Sequence, residues 1–155
     1  MLKEYDYYNL LNKVYKRDTV STAQLGEILN RSVISLKKDR ANGTGIVYTQ
    51  DSSMQVRYKL SDVVDFLEST SNTTTSGTSN KELSFNYLYF TYDTCLLSIE
   101  QTGEATLRTV EELKYDRLHK KGIPFVKMGS SKNAITRYAL HDVTNFIFRD
   151  SKEIK

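Results

Sequence analysis

The apolar positions of this chain fall in short stripes, each bounded by polar punctuation. In "YDYYNLLNKVY", Tyr7, Leu10, Leu11 and Val14 stand at i, i+3, i+4 and i+7, the spacing of one helix face. "FNYLYFTY" repeats that spacing with Phe85, Leu88, Tyr89 and Tyr92, although its aromatic density also suits a strand. "STAQLGEILN" and "SIEQTGEATL" each open with a capping box, Ser21 with Gln24 and Ser98 with Gln101, and so predict short helices. A second start signal follows at once, at Ser32 in one stretch and at Thr109 with Glu112 in the other. Val33 and Leu36, or Val110 and Leu113, then share one inward face. Gly43 and Gly45, or Gly122, end the helix. "IVYTQDSSMQVRYKL" and "IPFVKMGSSKNAITRYAL" each hold two β-rich runs around a Ser-Ser turn, a predicted hairpin. Pro124 assigns its hairpin start to an edge strand. "SDVVDFLES" and "HDVTNFIFRD" predict closing helices, with Val63, Phe66 and Leu67, or Val143, Phe146 and Ile147, as buried stripes and Asp62 and Asp142 as caps.

These elements come in two matching sets. "RSVISLKKDR" (31–40) returns as "RTVEELKYDR" (108–117). At a shift of 77, Ser21/Ser98, Gly26/Gly103, Glu27/Glu104, Arg31/Arg108, Leu36/Leu113, Lys37/Lys114, Asp39/Asp116, Arg40/Arg117 and Gly45/Gly122 are identical pairs. After a three-residue insertion Arg57/Arg137, Tyr58/Tyr138, Leu60/Leu140, Asp62/Asp142 and Phe66/Phe146 match. The chain is an internal tandem repeat. Between the copies lies "STSNTTTSGTSN" (69–80), uncharged and without large apolar groups. Such a stretch buries too little apolar surface to offset its ordering entropy and reads as a flexible linker. The expected organisation is a first domain over 1–68, the linker, and a second domain over 81–155. A flexible twelve-residue linker spans about 20 Å.

Composition narrows the function classes. With 39% hydrophobic and 26% charged residues the chain is globular. No apolar run approaches the roughly 18 residues of a membrane span, and no apolar signal core follows Met1, so a cytoplasmic location without membrane contact is expected. Cys95 is the sole cysteine, and with only two histidines no zinc spacing arises. Neither a phosphate-binding glycine loop nor a nucleophile beside a histidine is present, so no enzyme activity, metal or cofactor is expected. Net charge is only +3, but basic residues cluster. Arg31, Lys37, Lys38 and Arg40 oppose Asp39 alone; Lys114, Arg117, Lys120, Lys121, Lys127, Lys132 and Arg137 oppose Asp116 alone. Clusters of this kind fit either phosphate contact or a solvated charged face.

Two short helices, a tight turn between them, a hairpin and a closing helix make a winged helix-turn-helix, so the expected fold is mainly α with small β-hairpin wings, an α+β class. The sequence resembles the MerR-like winged helix-turn-helix of phage excisionases and AlpA-type regulators. "TLRTVEELKYDRLHKKGIPFVKMGSSKNAITRYALHDVTNFI" carries the resemblance best, with its helix, Gly-x-Pro, basic hairpin, Arg-aromatic pair and Asp-Val. The first copy departs at "GTGIVY", which has no proline, and has a shorter wing. A helix of this length fits the major groove. With Val33 and Leu36 inward, Ser32, Ser35, Lys38 and Asn42 face outward; Thr109, Glu112, Tyr115 and His119 take those places in the second copy. Arg31 and Arg108 stand at the helix start, where backbone N–H groups favour phosphate. The resemblance implies wings that reach the minor groove or backbone, through Arg57 and Lys59 in one copy and Lys127, Lys132 and Arg137 in the other. Lys37, Lys114, Lys120 and Lys121 complete the expected DNA-contacting set. Glu112 either accepts from cytosine or only caps its helix.

Other shared residues have structural readings. Arg40 and Arg117 are expected as scaffold ion pairs with the preceding Asp. Arg57 and Arg137 are either phosphate ligands or strand surface. Gly26 and Gly103 allow close approach, His119 and His141 are surface residues, Cys95 is a small buried apolar group, and the Tyr-rich prefaces pack. The expected function is sequence-specific binding of double-stranded DNA, as an excisionase-like or regulatory protein of a phage or mobile element. The rivals are a protein-interaction module, whose Tyr-rich prefaces meet a recombinase, a polymerase or a second copy, and a small DNA-handling subunit for replication or packaging.

Overall fold

A computed structural model describes residues 3–5, 7–70, 75–77, 79–129 and 134–153. The fold is mainly helical with small antiparallel sheets, the coarse class expected. Strand β1 (Lys3–Tyr5) leads into helix α1 (Tyr7–Tyr15), and strand β2 (Thr19–Val20) into α2 (Thr22–Leu29) and α3 (Val33–Ala41). The hairpin β3 (Thr49–Gln50) and β4 (Val56–Lys59) precedes α4 (Leu60–Thr70). Beyond β5 (Thr75–Gly77) the order returns: α5 (Ser79–Tyr92), β6 (Leu96–Leu97), α6 (Ile99–Thr106), α7 (Val110–Leu118), hairpin β7 (Val126–Met128) and β8 (Ile135–Ala139), and α8 (Leu140–Glu153). Each copy forms one three-stranded sheet, ordered β2-β4-β3 or β6-β8-β7. The short strands β2 and β6 add a partner to each hairpin that two residues cannot announce by alternation. Edge position of β7, just after Pro124, agrees with the missing donor of that proline.

Local chemistry sets the helix starts. Ser21 and Ser98 each accept a bond from the N–H of Gln24 or Gln101, whose side chain accepts from the cap's own N–H. Ser32 and Thr109 accept from the N–H of Ser35 and Glu112. Asn30 and Leu107 hold the turn between the helices in the left-handed region, at φ 54 and φ 56. A side chain at Gly26 or Gly103 would place its Cβ 2.7 or 2.6 Å from the carbonyl oxygen of Arg31 or Arg108, so these glycines admit the backbone of that turn. Asp62 and Asp142 sit inside the first turns of α4 and α8 and not at their caps.

The core is shared by both copies. Leu25, Ile28, Leu29, Leu36, Val63 and Leu67 fill the first copy, and Leu96, Leu97, Leu113, Tyr138, Leu140 and Val143 the second. Between them lie the prefaces. Tyr7, Leu10 and Leu11 on α1 are buried with Phe85, Leu88 and Tyr89 on α5, while Val14 stays exposed. "FNYLYFTY" is helical, which settles its ambiguity. His141 corrects the surface expectation: at 1% exposure it packs against Tyr7 edge-on (ring centroids 4.5 Å) and stacks on Phe85 (4.8 Å). The flexible linker expected over 69–80 is corrected too. Its described part holds the end of α4, the start of α5, and β5, which pairs antiparallel with β1 in the register Glu4↔Ser76. Residues 71–74 and 78 lie outside the described residues. The pairing and the common core mean that the two copies are not beads on a free tether.

Candidate nucleic-acid interface

The repeated ten-residue phrase is first of all a scaffold. The guanidinium of Arg31 donates to Asp39 at 2.6 Å, and Arg108 pairs with Asp116 at 2.7 Å. Each pair ties the turn before a helix to that helix's second turn. The Arg31 side chain is only 7% exposed, so it is not the phosphate ligand expected at the start of α3. Arg108 is committed in the same way; its Nε also lies 3.5 Å from Glu112, an ion-pair contact longer than a good hydrogen bond. Glu112 therefore faces Arg108, while its N–H, and not its carboxylate, makes the cap with Thr109. Gly45 and Gly122, at φ 89 and φ 82, belong to the same device. A Cβ on Gly122 would sit 2.7 Å from Asp116 Oδ2, and one on Gly45 3.0 Å from Asp39 Cβ.

Arg40 and Arg117 are scaffold residues, but not through the neighbouring Asp. Arg40 donates to the hydroxyls of Tyr58 (2.7 Å) and Thr22 (3.3 Å) and lies over the Tyr48 ring. Arg117 lies over the Phe125 ring, 5.7 Å from its centroid. Both lash the second helix of their copy to the start of the hairpin.

What remains outward is the candidate interface. On α3, Leu36 is buried, but Val33 is 37% exposed and Ile34 69% exposed, so the expectation that Val33 packs inward is corrected. The helix touches the core along a narrower line than an i,i+3 pair predicts. Lys37, Lys38, Ser32 and the capping residue Asn42 are exposed, and Ser35 is half-buried with its hydroxyl donating to the Ser32 carbonyl. On α7, Leu113 is buried and Val110 half-buried, while Thr109, Glu111, Glu112, Lys114 and Tyr115 are exposed. Tyr115 stacks with the capping His119 at 3.9 Å and receives the Lys121 ammonium 4.9 Å from its ring centre. Among the described residues no ion pair engages Lys37, Lys38, Lys114, Lys120 or Lys127.

The hairpins differ. Arg57 is half-buried and donates to Gln55, and Lys59 is exposed. Asp51 shapes the first hairpin's turn by accepting from the N–H groups of Ser53 and Gln55 and from the Ser53 hydroxyl. Those bonds, the Ser53 hydroxyl foremost, hold its carboxyl below the usual range. In the second copy Lys127 is exposed on β7, whereas Lys132 and the Ser-Ser turn lie outside the described residues. Arg137 is corrected: it does not face outward as a phosphate ligand but donates from Nε (3.0 Å) and Nη2 (2.8 Å) to the carbonyl of Asn30 in the first copy. Burial lowers its pKa from the usual guanidinium value.

One feature was visible in the sequence only as charge density. Lys114, Arg117, Lys120 and Lys127 line a groove of about 410 Å³ between α7 and the second hairpin, with Phe125 and Leu118 beside them. At the equivalent places the first copy has Lys37, Arg40, Gly43 and Gln50. Four cations thus face two. Lys120 reaches the groove from a left-handed position, φ 54, just past the end of α7. No helix is long and apolar enough to cross a membrane among the described residues. No protein-family model, no curated protein and no solved structure matches the chain.

Proposed function

We propose that this chain is a sequence-specific double-stranded DNA-binding protein with two tandem winged helix-turn-helix units. Its role is that of an excisionase-like factor or transcriptional regulator of a phage or mobile element, acting on DNA in the cytoplasm. The observation that carries the reading is the groove of Lys114, Arg117, Lys120 and Lys127 between a short outward helix and a hairpin. A phosphate backbone beside such a groove exchanges condensed counterions for fixed cations. The exposed faces of α3 and α7 support it. They share their scaffold residues but carry different outward residues, Ser32, Lys38 and Asn42 against Thr109, Tyr115 and His119. Common buried positions with unlike outer ones suit two units that hold one geometry and read different base sequences. The rival reading, a protein-interaction module, draws on Tyr87 and Phe90, both exposed on α5.

Binding of genomic fragments across a salt series separates them. For a DNA-binding protein the logarithm of the binding constant falls linearly with log salt, with a slope of about 0.9 for each phosphate neutralised. Retention of no fragment, or a flat salt response, removes the DNA reading in favour of the protein partner.

A further inference from the structure

The two copies meet through a one-way contact at the turn before α3. A helix end leaves its last carbonyls without partners inside the helix. At the end of α2 the second copy supplies them. The Ile28 carbonyl accepts from the Cys95 N–H and the Thr94 hydroxyl, each at 2.9 Å. The Asn30 carbonyl accepts both bonds from Arg137, and the Asn30 side-chain amide donates to Gln101 Oε1 at 2.9 Å. Asn30 is followed by Arg31, whose pair with Asp39 fixes α3 to the same turn. Arg137 in turn sits on β8, directly opposite Val126 of β7. A continuous path of short bonds therefore runs from the second hairpin to the first outward helix. The counterpart turn of the second copy is open: Leu107, in the place of Asn30, is 94% exposed.

We propose that Arg137 is a positioning residue that fixes the distance between the two DNA-contacting units, so that the protein takes one composite duplex site of invariant half-site spacing. This rests on the DNA-binding reading above and deepens it. A flexible tether would accept half-sites over a range of separations, because the linker adjusts. A bolted pair cannot. One inserted base pair shifts a half-site by about 3.4 Å and turns it by about 34° around the axis. Arg137 suits the role because one planar guanidinium holds a backbone carbonyl with two donors, which restrains direction as well as distance.

The test uses the full chain and duplexes built from the sequence recovered by selection from a random pool. The spacer between the two motifs is lengthened one base pair at a time through a full helical turn. The intact protein is expected to bind tightly at one spacing and to lose at least about tenfold in affinity for a single added base pair. Arg137→Gln is expected to keep its affinity for each isolated half-site and to flatten the spacing profile. Arg137→Lys is the second variant, since lysine keeps the charge while losing the planar two-donor hold on the Asn30 carbonyl; it is expected to broaden the profile in part. Equal affinity of the intact protein at all spacings overturns the inference and leaves DNA binding standing. A folded Arg137→Gln that keeps the sharp profile overturns the positioning role; if that variant does not fold, an Arg137→Lys profile as sharp as that of the intact protein does the same. Recovery of no duplex from the pool overturns both this inference and the reading beneath it.

Discussion

Asp39 and Asp116 each hold an arginine that the surrounding protein has largely removed from water. Breaking such a pair strands a charge, which is far more costly than deleting an exposed one. Asp116→Asn and Asp39→Asn are each expected to lower stability by about 3 kcal/mol in urea unfolding. Lys37→Ala and Lys114→Ala are expected to change it by less than about 0.5 kcal/mol, yet each to reduce the salt slope of DNA binding by about 1. That contrast separates two kinds of repeated residue which look alike in the alignment. Arginine, lysine and aspartate recur in both phrases, but only the lysines recur without an internal partner among the described residues. Leu107 is a different case, an aliphatic residue in the left-handed region with its side chain in water. Leu107→Asn is expected to raise the melting temperature, corresponding to about 1 kcal/mol, because asparagine tolerates that backbone and leucine does not.

Among the elements, those with capping chemistry were the most legible. Ser21, Ser32, Ser98 and Thr109 announce their helices because the cap bond is local, needing only residues three positions apart. Side-chain direction was less legible. Val33 satisfies the helical spacing and still lies at the rim, because α3 rests on the core mainly through Leu36. The strands β1, β2, β5 and β6 could not be read at all: at two or three residues they exist through their partners. The groove between α7 and β7 was legible as a charge count but not as a shape. Its chemistry gives an element-scale expectation. Reversing Lys120 and Lys127 to glutamate should weaken DNA binding by more than tenfold at physiological salt, as about two phosphate contacts are lost and repulsion replaces them. Adding glutamate at the matching first-copy positions Gly43 and Gln50 should cost less, since no cation is removed there. Competition binding of the two double variants checks the order.

At the scale of the whole molecule, the duplication was plain in the sequence, but the joining of the copies was not. Asn30 meets Gln101 and Arg137, and His141 meets Tyr7, all far along the chain, and no local pattern marks such contacts. The charge count suggested Arg137 for phosphate because a sequence cannot show whether a guanidinium is already taken. The shared core also sets a pH limit. Burial raises the pKa of Tyr15, Tyr89, Tyr138 and the Cys95 thiol above ordinary values of 10.0 for tyrosine and 9.0 for cysteine. Above pH 9 an unfolded chain releases these protons while the folded one retains them. The unfolded state then binds fewer protons, so stability falls as pH rises. Urea midpoints are expected to be level in this respect below about pH 8 and to drop steadily from pH 9 upward.

His141, near the start of α8, is wedged between the tyrosine that opens α1 and a phenylalanine of its own half. Ancestry and present-day packing have parted here: halving the chain would take the Tyr7 ring away from His141. A nick between the copies should leave both pieces migrating as a single particle on gel filtration, whereas either piece made alone would present a raw aromatic seam and aggregate.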